Sequence, residues 1–179
     1  MSKSILFVLI VSFFIAALIG PVFIPFLHRL KFGQAIREEG PASHKKKSGT
    51  PTMGGLIFIT SIALGIIITT IFTDYATMSN ELIILLLSLV GFGAIGFVDD
   101  FIIVVKKNNE GLKPKQKLLA QLVVACLFFY LFLKSNYSTA LSFFGLFEVN
   151  LYWAYGLFIL FWMVGFSNAV NLTDGLDGL

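Results

Sequence analysis

Charged residues are scarce in this sequence. Only 13% of its 179 residues are Asp, Glu, Lys or Arg, whereas 57% are hydrophobic, and the mean hydropathy is +0.89. Ordinary soluble domains carry about 25% charged residues, so this composition excludes that class. The chain also has a single cysteine, Cys126, which excludes an internal disulfide and a metal site built from several thiolates.

What the sequence has in abundance is long apolar runs. Five of them lie at about 4–27, 53–72, 82–98, 118–133 and 151–166. About 20 apolar residues are enough for a helix to cross a bilayer. The sequence therefore predicts an all-α polytopic membrane protein with about five transmembrane helices, forming one transmembrane domain over residues 1–179.

The basic residues predict how these helices are oriented. Eleven of the thirteen Lys and Arg residues lie in the first and third connections between the apolar runs. Lys and Arg are enriched in cytoplasmic loops. We therefore expect the N-terminus outside, the C-terminal end in the cytoplasm, and cytoplasmic loops at about 28–52, 99–117 and 167–179. This clustering indicates membrane topology, and no nucleic-acid partner is expected.

Two adjacent carboxylates, Asp99 and Asp100, follow the third apolar run directly. Neighbouring residues on a helix point about 100° apart, so the two are expected to have distinct roles. Beside a diphosphate, carboxylates can bind Mg²⁺, accept a proton or orient the attacking group. The alternative is a pair that only ends the helix. Acids at a helix C-terminus oppose the macrodipole, which favours the functional interpretation.

Two further stretches carry polar chemistry on the predicted cytoplasmic side. In residues 33–55, Lys45, Lys46 and Lys47 lie among glycines and prolines, where cations and backbone N–H groups can bind phosphate. The alternative is a loop that only sets topology. Residues 167–179 supply amides, a hydroxyl and carboxylates suited to a nucleotide or sugar; the alternative there is a polar helix end with glycine caps.

The glycine pattern of residues 91–96 matches a dinucleotide-binding fingerprint, but it lies inside an apolar run. We interpret these small residues as a helix-packing surface.

Together these stretches resemble the phospho-N-acetylmuramoyl-pentapeptide-transferase family, within the superfamily of polyprenyl-phosphate sugar-1-phosphate transferases. Four segments carry the resemblance: residues 34–55, including the Gly-Thr-Pro-Thr-Met-Gly-Gly run that ends at Gly55; Gly-Phe-Val-Asp-Asp at 96–100; Gly111-Leu112 with Lys117 and Gln121; and Asn-Ala-Val-Asn-Leu-Thr-Asp-Gly-Leu-Asp-Gly-Leu at 168–179. They follow the order of the family's N-terminal half.

The resemblance implies transfer of phospho-MurNAc-pentapeptide from its UDP carrier to undecaprenyl phosphate, with Mg²⁺, at the cytoplasmic face of the bacterial inner membrane. Asp99 and Asp100 would be catalytic, and whether the route is direct or passes through an aspartyl intermediate stays open. The implied substrate-binding residues are Ser43, His44, Lys47, Thr50, Lys117, Asn168, Asn171, Asp174 and Asp177. The metal ligands are unassigned, because the family's main ligand is expected in its later half.

Two departures from the family matter. Ile103 stands where the family usually has lysine, so Lys106 or Lys107 would have to serve instead. The match also covers about five of the family's roughly ten spans, so we expect a fragment or truncated chain. An inactive fragment is therefore one alternative, and a related GlcNAc-1-phosphate transferase is another. A transporter would place ionisable groups at mid-bilayer, whereas here they gather at one surface. The oligomeric state is left open, homo-oligomers included.

Overall fold

The computed structural model describes residues 3–29, 53–73, 78–106 and 111–173. Within those ranges the chain forms five helices: α1 Lys3–Arg29, α2 Gly55–Phe72, α3 Asn80–Lys106, α4 Pro114–Lys134 and α5 Ala154–Thr173. All five are long and apolar enough to cross a membrane. The predicted helical, five-span membrane fold is thus confirmed.

Several helices extend beyond the apolar runs that predicted them. The third run ends at residue 98, but α3 continues to Lys106, and α5 continues from residue 166 to Thr173. A 27-residue helix is about 40 Å long, longer than the roughly 30 Å hydrocarbon core. Outside the hydrocarbon, polar residues can continue a helix, so hydropathy alone places its end too early.

The chain divides into two compact units, Met1–Lys113 and Pro114–Leu179. In the first unit, α2 packs against both α1 and α3. The buried residues of α2 recur at every fourth position, at Ile57, Ser61, Gly65 and Thr69. Residues four apart share one helix face, so Ser61, Gly65 and Thr69 form a seam of small residues there. At Gly65 a Cβ atom would collide with the Ser12 hydroxyl of α1. The seam thus lets two backbones approach closely.

The glycine-rich stretch of α3 also packs against a neighbouring helix. A Cβ atom on Gly93 would lie 2.5 Å from Ile59 Cδ1 of α2. Residues 91–96 are helical throughout, without the strand and turn that a dinucleotide site requires. The interpretation of these glycines as a packing surface is confirmed at Gly93.

The second unit is built on the antiparallel pair α4 and α5. Gly156 of α5 lies so close to Phe129 of α4 that a Cβ atom would be 2.6 Å from Phe129 Cε1. Ala125 is fully buried on the same stretch of α4. Near the hairpin end of the pair, the rings of Phe132 and Tyr155 stack with centroids 5.3 Å apart. Small residues and aromatic rings thus hold the two helices together.

A short hairpin connects α4 to α5, an element that the sequence analysis did not predict. Strand β1 (Ala140–Phe143) pairs antiparallel with β2 (Phe147–Asn150), and Leu141 lies opposite Val149. The turn has positive φ at Phe144 (52°) and Gly145 (73°). Hairpin turns favour such angles, but an aromatic residue is an unusual choice for one.

Candidate functional site

Asp99 and Asp100 lie inside α3, seven and six residues before its last residue, Lys106. Both side chains are half-buried. The pair therefore does not end the helix, so the alternative of a pair that only ends it is wrong. The macrodipole does not favour a functional role either, because that effect fades within the last turn. Their position inside a regular helix does support the other expectation, that the two carboxylates point in different directions.

Gly111 and Leu112, which follow α3 in the chain, contact Asp99. The backbone N–H of Leu112 donates a hydrogen bond to Asp99 Oδ1 at 2.7 Å. Gly111 makes this approach feasible: a Cβ atom there would lie 2.9 Å from Asp99 Cγ and 3.0 Å from the Asp99 carbonyl oxygen. Hydrogen bonds to ionised groups are short and strong. One catalytic candidate is thus oriented by a backbone amide thirteen residues further along the chain.

The predicted phosphate-binding loop is described only at its end. Met53 is 8% exposed and has a left-handed backbone, with φ of 69°. The carbonyl oxygens of Met53 and Gly54 accept hydrogen bonds from Leu56 N (3.1 Å) and Ile57 N (3.0 Å), which form the first turn of α2. A non-glycine residue with positive φ is uncommon, so the entry to α2 has a specific geometry.

A polar ladder links α4 to α5 at the end opposite the hairpin; we use this term for Lys117, Gln121, Ser167, Asn168 and Asn171. Lys117 Nζ donates to Asn171 Oδ1 at 2.8 Å. One turn further along α4, Gln121 Nε2 donates to Ser167 Oγ at 3.3 Å and to Asn168 Oδ1 at 3.4 Å. Asn168 Nδ2 donates in return to Gln121 Oε1 at 2.8 Å. Three predicted binding residues are therefore brought together here.

The two rungs of the polar ladder differ in exposure. Gln121 is 1% exposed, and Asn168 Nδ2 also donates to the Val164 carbonyl oxygen at 2.9 Å. Asn171 is exposed, and Lys117 is half-buried. The inner rung, Gln121 with Ser167 and Asn168, therefore fixes the register of the two helices. The outer rung, Lys117 with Asn171, presents an ammonium and an amide that a soluble anion can reach.

The remaining predicted site residues lie outside the described ranges: Ser43, His44, Lys47, Thr50, Asp174 and Asp177. Lys107, one of the two proposed substitutes for the family lysine, lies outside them as well. The other, Lys106, is exposed and seven residues beyond Asp99. Seven residues are almost two helical turns, so Lys106 lies on the face of Asp99, about 10 Å further along the axis.

In the described ranges, no group of three or more His, Cys, Asp or Glu side chains is placed to hold a metal ion. Asp99 and Asp100 are two carboxylates, and Mg²⁺ is commonly held by one or two carboxylates together with substrate phosphates and water. Because the two carboxylates point in different directions, either of them could supply one oxygen to such an ion, and its other ligands would come from substrate and water.

Four residues of this region have no predicted role of their own: Gln121, Ser167, Gly111 and Leu112. Gln121 and the Gly111-Leu112 pair contribute only to the family resemblance. A signal was present for Gln121, a buried amide inside an apolar helix, because such a group requires a hydrogen-bond partner. The role of Leu112 comes from its backbone N–H, which no side-chain pattern can reveal.

Residues 82–179, more than half of the chain, match the family model described as glycosyl transferase family 4. The chain belongs to this family. In addition, residues 47–59 match signature 1 of phospho-N-acetylmuramoyl-pentapeptide-transferase, a stretch that includes Met53 and the first turn of α2. This glycosyl transferase family 4 member therefore carries the half-buried diacid, the Gly111-Leu112 contact and the polar ladder within the part that the family model covers.

Curated relatives of this family member are named phospho-N-acetylmuramoyl-pentapeptide-transferase. One from Staphylococcus epidermidis is 56% identical over 174 residues, which are 95% of this chain and 53% of the relative. One from Staphylococcus saprophyticus is 57% identical over the same shares, and one from Staphylococcus haemolyticus is 55% identical over 97% of this chain and 55% of the relative. The chain spans about half the length of these relatives.

Proposed function

We propose that this chain forms the N-terminal half of a transferase that moves phospho-MurNAc-pentapeptide from its UDP carrier to undecaprenyl phosphate, giving lipid I and UMP. The observation that carries the proposal is the transferase signature at residues 47–59, found on the same chain as the family match at 82–179. Relatives near 56% identity bear the corresponding name.

The reaction is a displacement at phosphorus. An oxygen of the lipid phosphate attacks the β-phosphorus of the nucleotide sugar, and the bond to the departing UMP breaks. We assign to Asp99 and Asp100 the acceptance of a proton from the lipid phosphate and the orientation of that phosphate. A two-step route with an aspartate nucleophile would use the same pair, and both routes require it to be ionised.

The hydrogen bond from Leu112 supports distinct roles for the two aspartates. Asp99 Oδ1 is committed to a backbone N–H at 2.7 Å, which fixes the direction of this carboxylate before any substrate arrives. A preoriented group costs no reorganisation during reaction. We therefore assign orientation of the reacting phosphate to Asp99 as its first role.

The polar ladder supports a place for the nucleotide sugar. Lys117 and Asn171 form the exposed rung and offer a cation and an amide to phosphate or sugar oxygens. We propose that these two contact the donor, together with Asp174, Asp177, Ser43, His44, Lys47 and Thr50. Asn168 lies on the inner rung, so its contribution is to position Asn171, one turn further along α5.

We propose Mg²⁺ as the cofactor. When bound, it would neutralise charge on the diphosphate. Asp99 and Asp100 are hard oxygen donors of the kind it prefers, and substrate oxygens and water would complete its coordination.

The proposed location is the bacterial inner membrane, with the reacting groups at the cytoplasmic face. The concentration of Lys and Arg in the first and third connections supports this orientation. The proposed partners are UDP-MurNAc-pentapeptide, undecaprenyl phosphate and the surrounding bilayer.

Donor choice tests the proposal. Residues 1–179 are joined to the remaining C-terminal half of the S. epidermidis relative, and UMP release is measured with undecaprenyl phosphate, Mg²⁺ and either UDP-MurNAc-pentapeptide or UDP-GlcNAc. We expect turnover with the first donor only, with the intact relative as the positive control. Turnover with UDP-GlcNAc alone would instead identify a GlcNAc-1-phosphate transferase.

A further inference from the structure

The hairpin between α4 and α5 is a ribbon with two chemically different faces. Directly opposed residues of an antiparallel pair project to the same side, and successive residues alternate. One face therefore carries Leu141, Phe143, Phe147 and Val149, and the other carries Ala140, Ser142, Glu148 and Asn150. The rings of Phe143 and Phe147 stack with centroids 5.0 Å apart, as residues on a shared face should.

The apolar face and the turn are open in the part of the chain that the structure describes. Phe147 is 57% exposed and Phe143 is 41% exposed. At the turn, Phe144 is 99% exposed and Leu146 is 82% exposed. Residues 140–150 contain one charge, Glu148, and it lies on the polar face. A contiguous exposed apolar surface of this kind marks an interaction site.

The tethers of the ribbon keep it beside a membrane. Five residues separate the end of α4 from β1, and three separate β2 from the start of α5. At about 3.5 Å per residue these tethers reach at most about 18 Å and about 11 Å. Both helices are candidate membrane spans, so the ribbon cannot move far from the bilayer surface at which they emerge.

The short tether is also held in place by polar contacts. Asn150 Oδ1 accepts hydrogen bonds from Thr139 Oγ1 at 2.8 Å and from Tyr152 N at 3.0 Å, which close the base of the ribbon. The two residues directly before α5, Tyr152 and Trp153, are 68% and 79% exposed. Exposed Tyr and Trp at the end of a span are typical of the headgroup region.

We infer that this ribbon is a membrane-interface anchor. Its apolar face and the turn residues Phe144 and Leu146 insert into the headgroup–acyl boundary of the nearer leaflet, while Ser142, Glu148 and Asn150 face water. Insertion is limited to side chains, because the free edges of a two-stranded ribbon carry backbone groups that cannot enter the hydrocarbon unpaired. Interfacial helices that lie in the membrane surface bury an apolar face in the same way, about 5–10 Å deep.

Fluorescent probes on the two faces test this inference. In a Cys126→Ser background, which removes the single native thiol, Leu146→Cys or Ser142→Cys is labelled with an environment-sensitive fluorophore. The full 179-residue chain is then reconstituted into phosphatidylglycerol–phosphatidylcholine vesicles. We expect the Leu146→Cys probe to emit at shorter wavelength, to be quenched by nitroxide-bearing lipid and to be protected from aqueous iodide. The Ser142→Cys probe should show the opposite pattern.

Two outcomes would overturn the inference. Equal iodide quenching of both probes would mean that the ribbon stands in water. Protection of the Leu146→Cys probe from both iodide and lipid nitroxide would mean that protein covers the apolar face, whether another chain or another part of the same protein. A bulky label could itself alter insertion, so a tryptophan probe is also used. Leu146→Trp is combined with Trp153→Phe and Trp162→Phe, and its fluorescence must be quenched by brominated lipids.

Discussion

Asp99 combines two properties that substitutions can separate: it carries a charge, and it accepts a hydrogen bond from the Leu112 N–H. Asparagine keeps an oxygen acceptor at the same position but removes the charge, whereas alanine removes both. Asparagine can therefore remove the catalytic contribution of Asp99 while keeping part of its structural contribution, whereas alanine removes both.

We predict that Asp99→Ala lowers the free energy of unfolding by about 1.5–3 kcal/mol, the range for a hydrogen bond to a charged group. Asp99→Asn should lower it by roughly half as much, because a neutral acceptor forms the weaker bond. Thermal unfolding of the purified chain in detergent, followed by circular dichroism, measures both. No measurable loss in either variant would show that the Leu112 contact contributes nothing to stability.

Gly111 gives a second prediction at this scale. A methyl group there would press on Asp99, so Gly111→Ala should destabilise the chain by about 1–3 kcal/mol, as overpacking commonly does. Gly165→Ala is the matched control, because nothing lies within 4 Å of a Cβ atom at Gly165. The same unfolding measurement applies, and indistinguishable midpoints for the two variants would contradict the close approach.

How much of the site the sequence predicts depends on the kind of contact. Asp99, Asp100, Asn168 and Asn171 stand out as polar residues beside apolar runs, whereas the role of Lys117 is implied by the family resemblance alone. The bond from Leu112 to Asp99 is tertiary and uses a backbone atom, so it becomes visible only in the structure. The same is true of the reciprocal bonds between Gln121 and Asn168.

At the scale of elements, the polar ladder fixes how α4 and α5 align. Gln121 is buried and shares reciprocal hydrogen bonds with Asn168, and the Lys117–Asn171 contact lies one turn away along both helices. A register shift between the helices would break both rungs together. Gln121 is thus a positioning residue for the exposed rung.

We predict that Gln121→Leu and Asn168→Leu are coupled. Each single change removes one amide and breaks the bonds between Gln121 and Asn168, which leaves the other amide without its partner on the facing helix, whereas the double change removes both amides. The double variant should therefore be more stable than the sum of the single losses indicates, by about 0.6–1.7 kcal/mol, the range for hydrogen bonds between membrane helices. The cycle uses the unfolding free energies of the unsubstituted chain, the two single variants and the double variant. In a control cycle, Cys126→Leu, at an exposed position of α4, takes the place of Gln121→Leu beside Asn168→Leu. Strict additivity for the Gln121 pair would contradict the ladder.

The five helices were predictable because a spanning helix needs a long apolar run, which composition reveals directly. Their ends were not, since α3 and α5 continue past the apolar residues that define the runs. The hairpin was not predicted, for a different reason. Its strands are four residues long, and its turn places Phe144 rather than Asn or Asp at a position with positive φ.

At the scale of the whole molecule, this chain matches about half the length of its curated relatives. The described residues supply an oriented diacid in one unit and a polar ladder in the other. The predicted residues Ser43, His44, Lys47, Thr50, Asp174 and Asp177 lie outside the described ranges. A catalytic test therefore has to place this chain in a protein of the relatives' full length.

The most direct measurement is UMP release from UDP-MurNAc-pentapeptide by the chimera of residues 1–179 with the C-terminal half of the S. epidermidis relative. Asp99→Asn and Asp100→Asn versions are measured alongside it, with detergent-purified protein checked for equal helix content. We predict turnover by the unsubstituted chimera and a loss of roughly 10²–10⁴-fold in each variant, the range for a lost acid–base group. Turnover that survives both substitutions would contradict the account that this pair of aspartates carries the reaction.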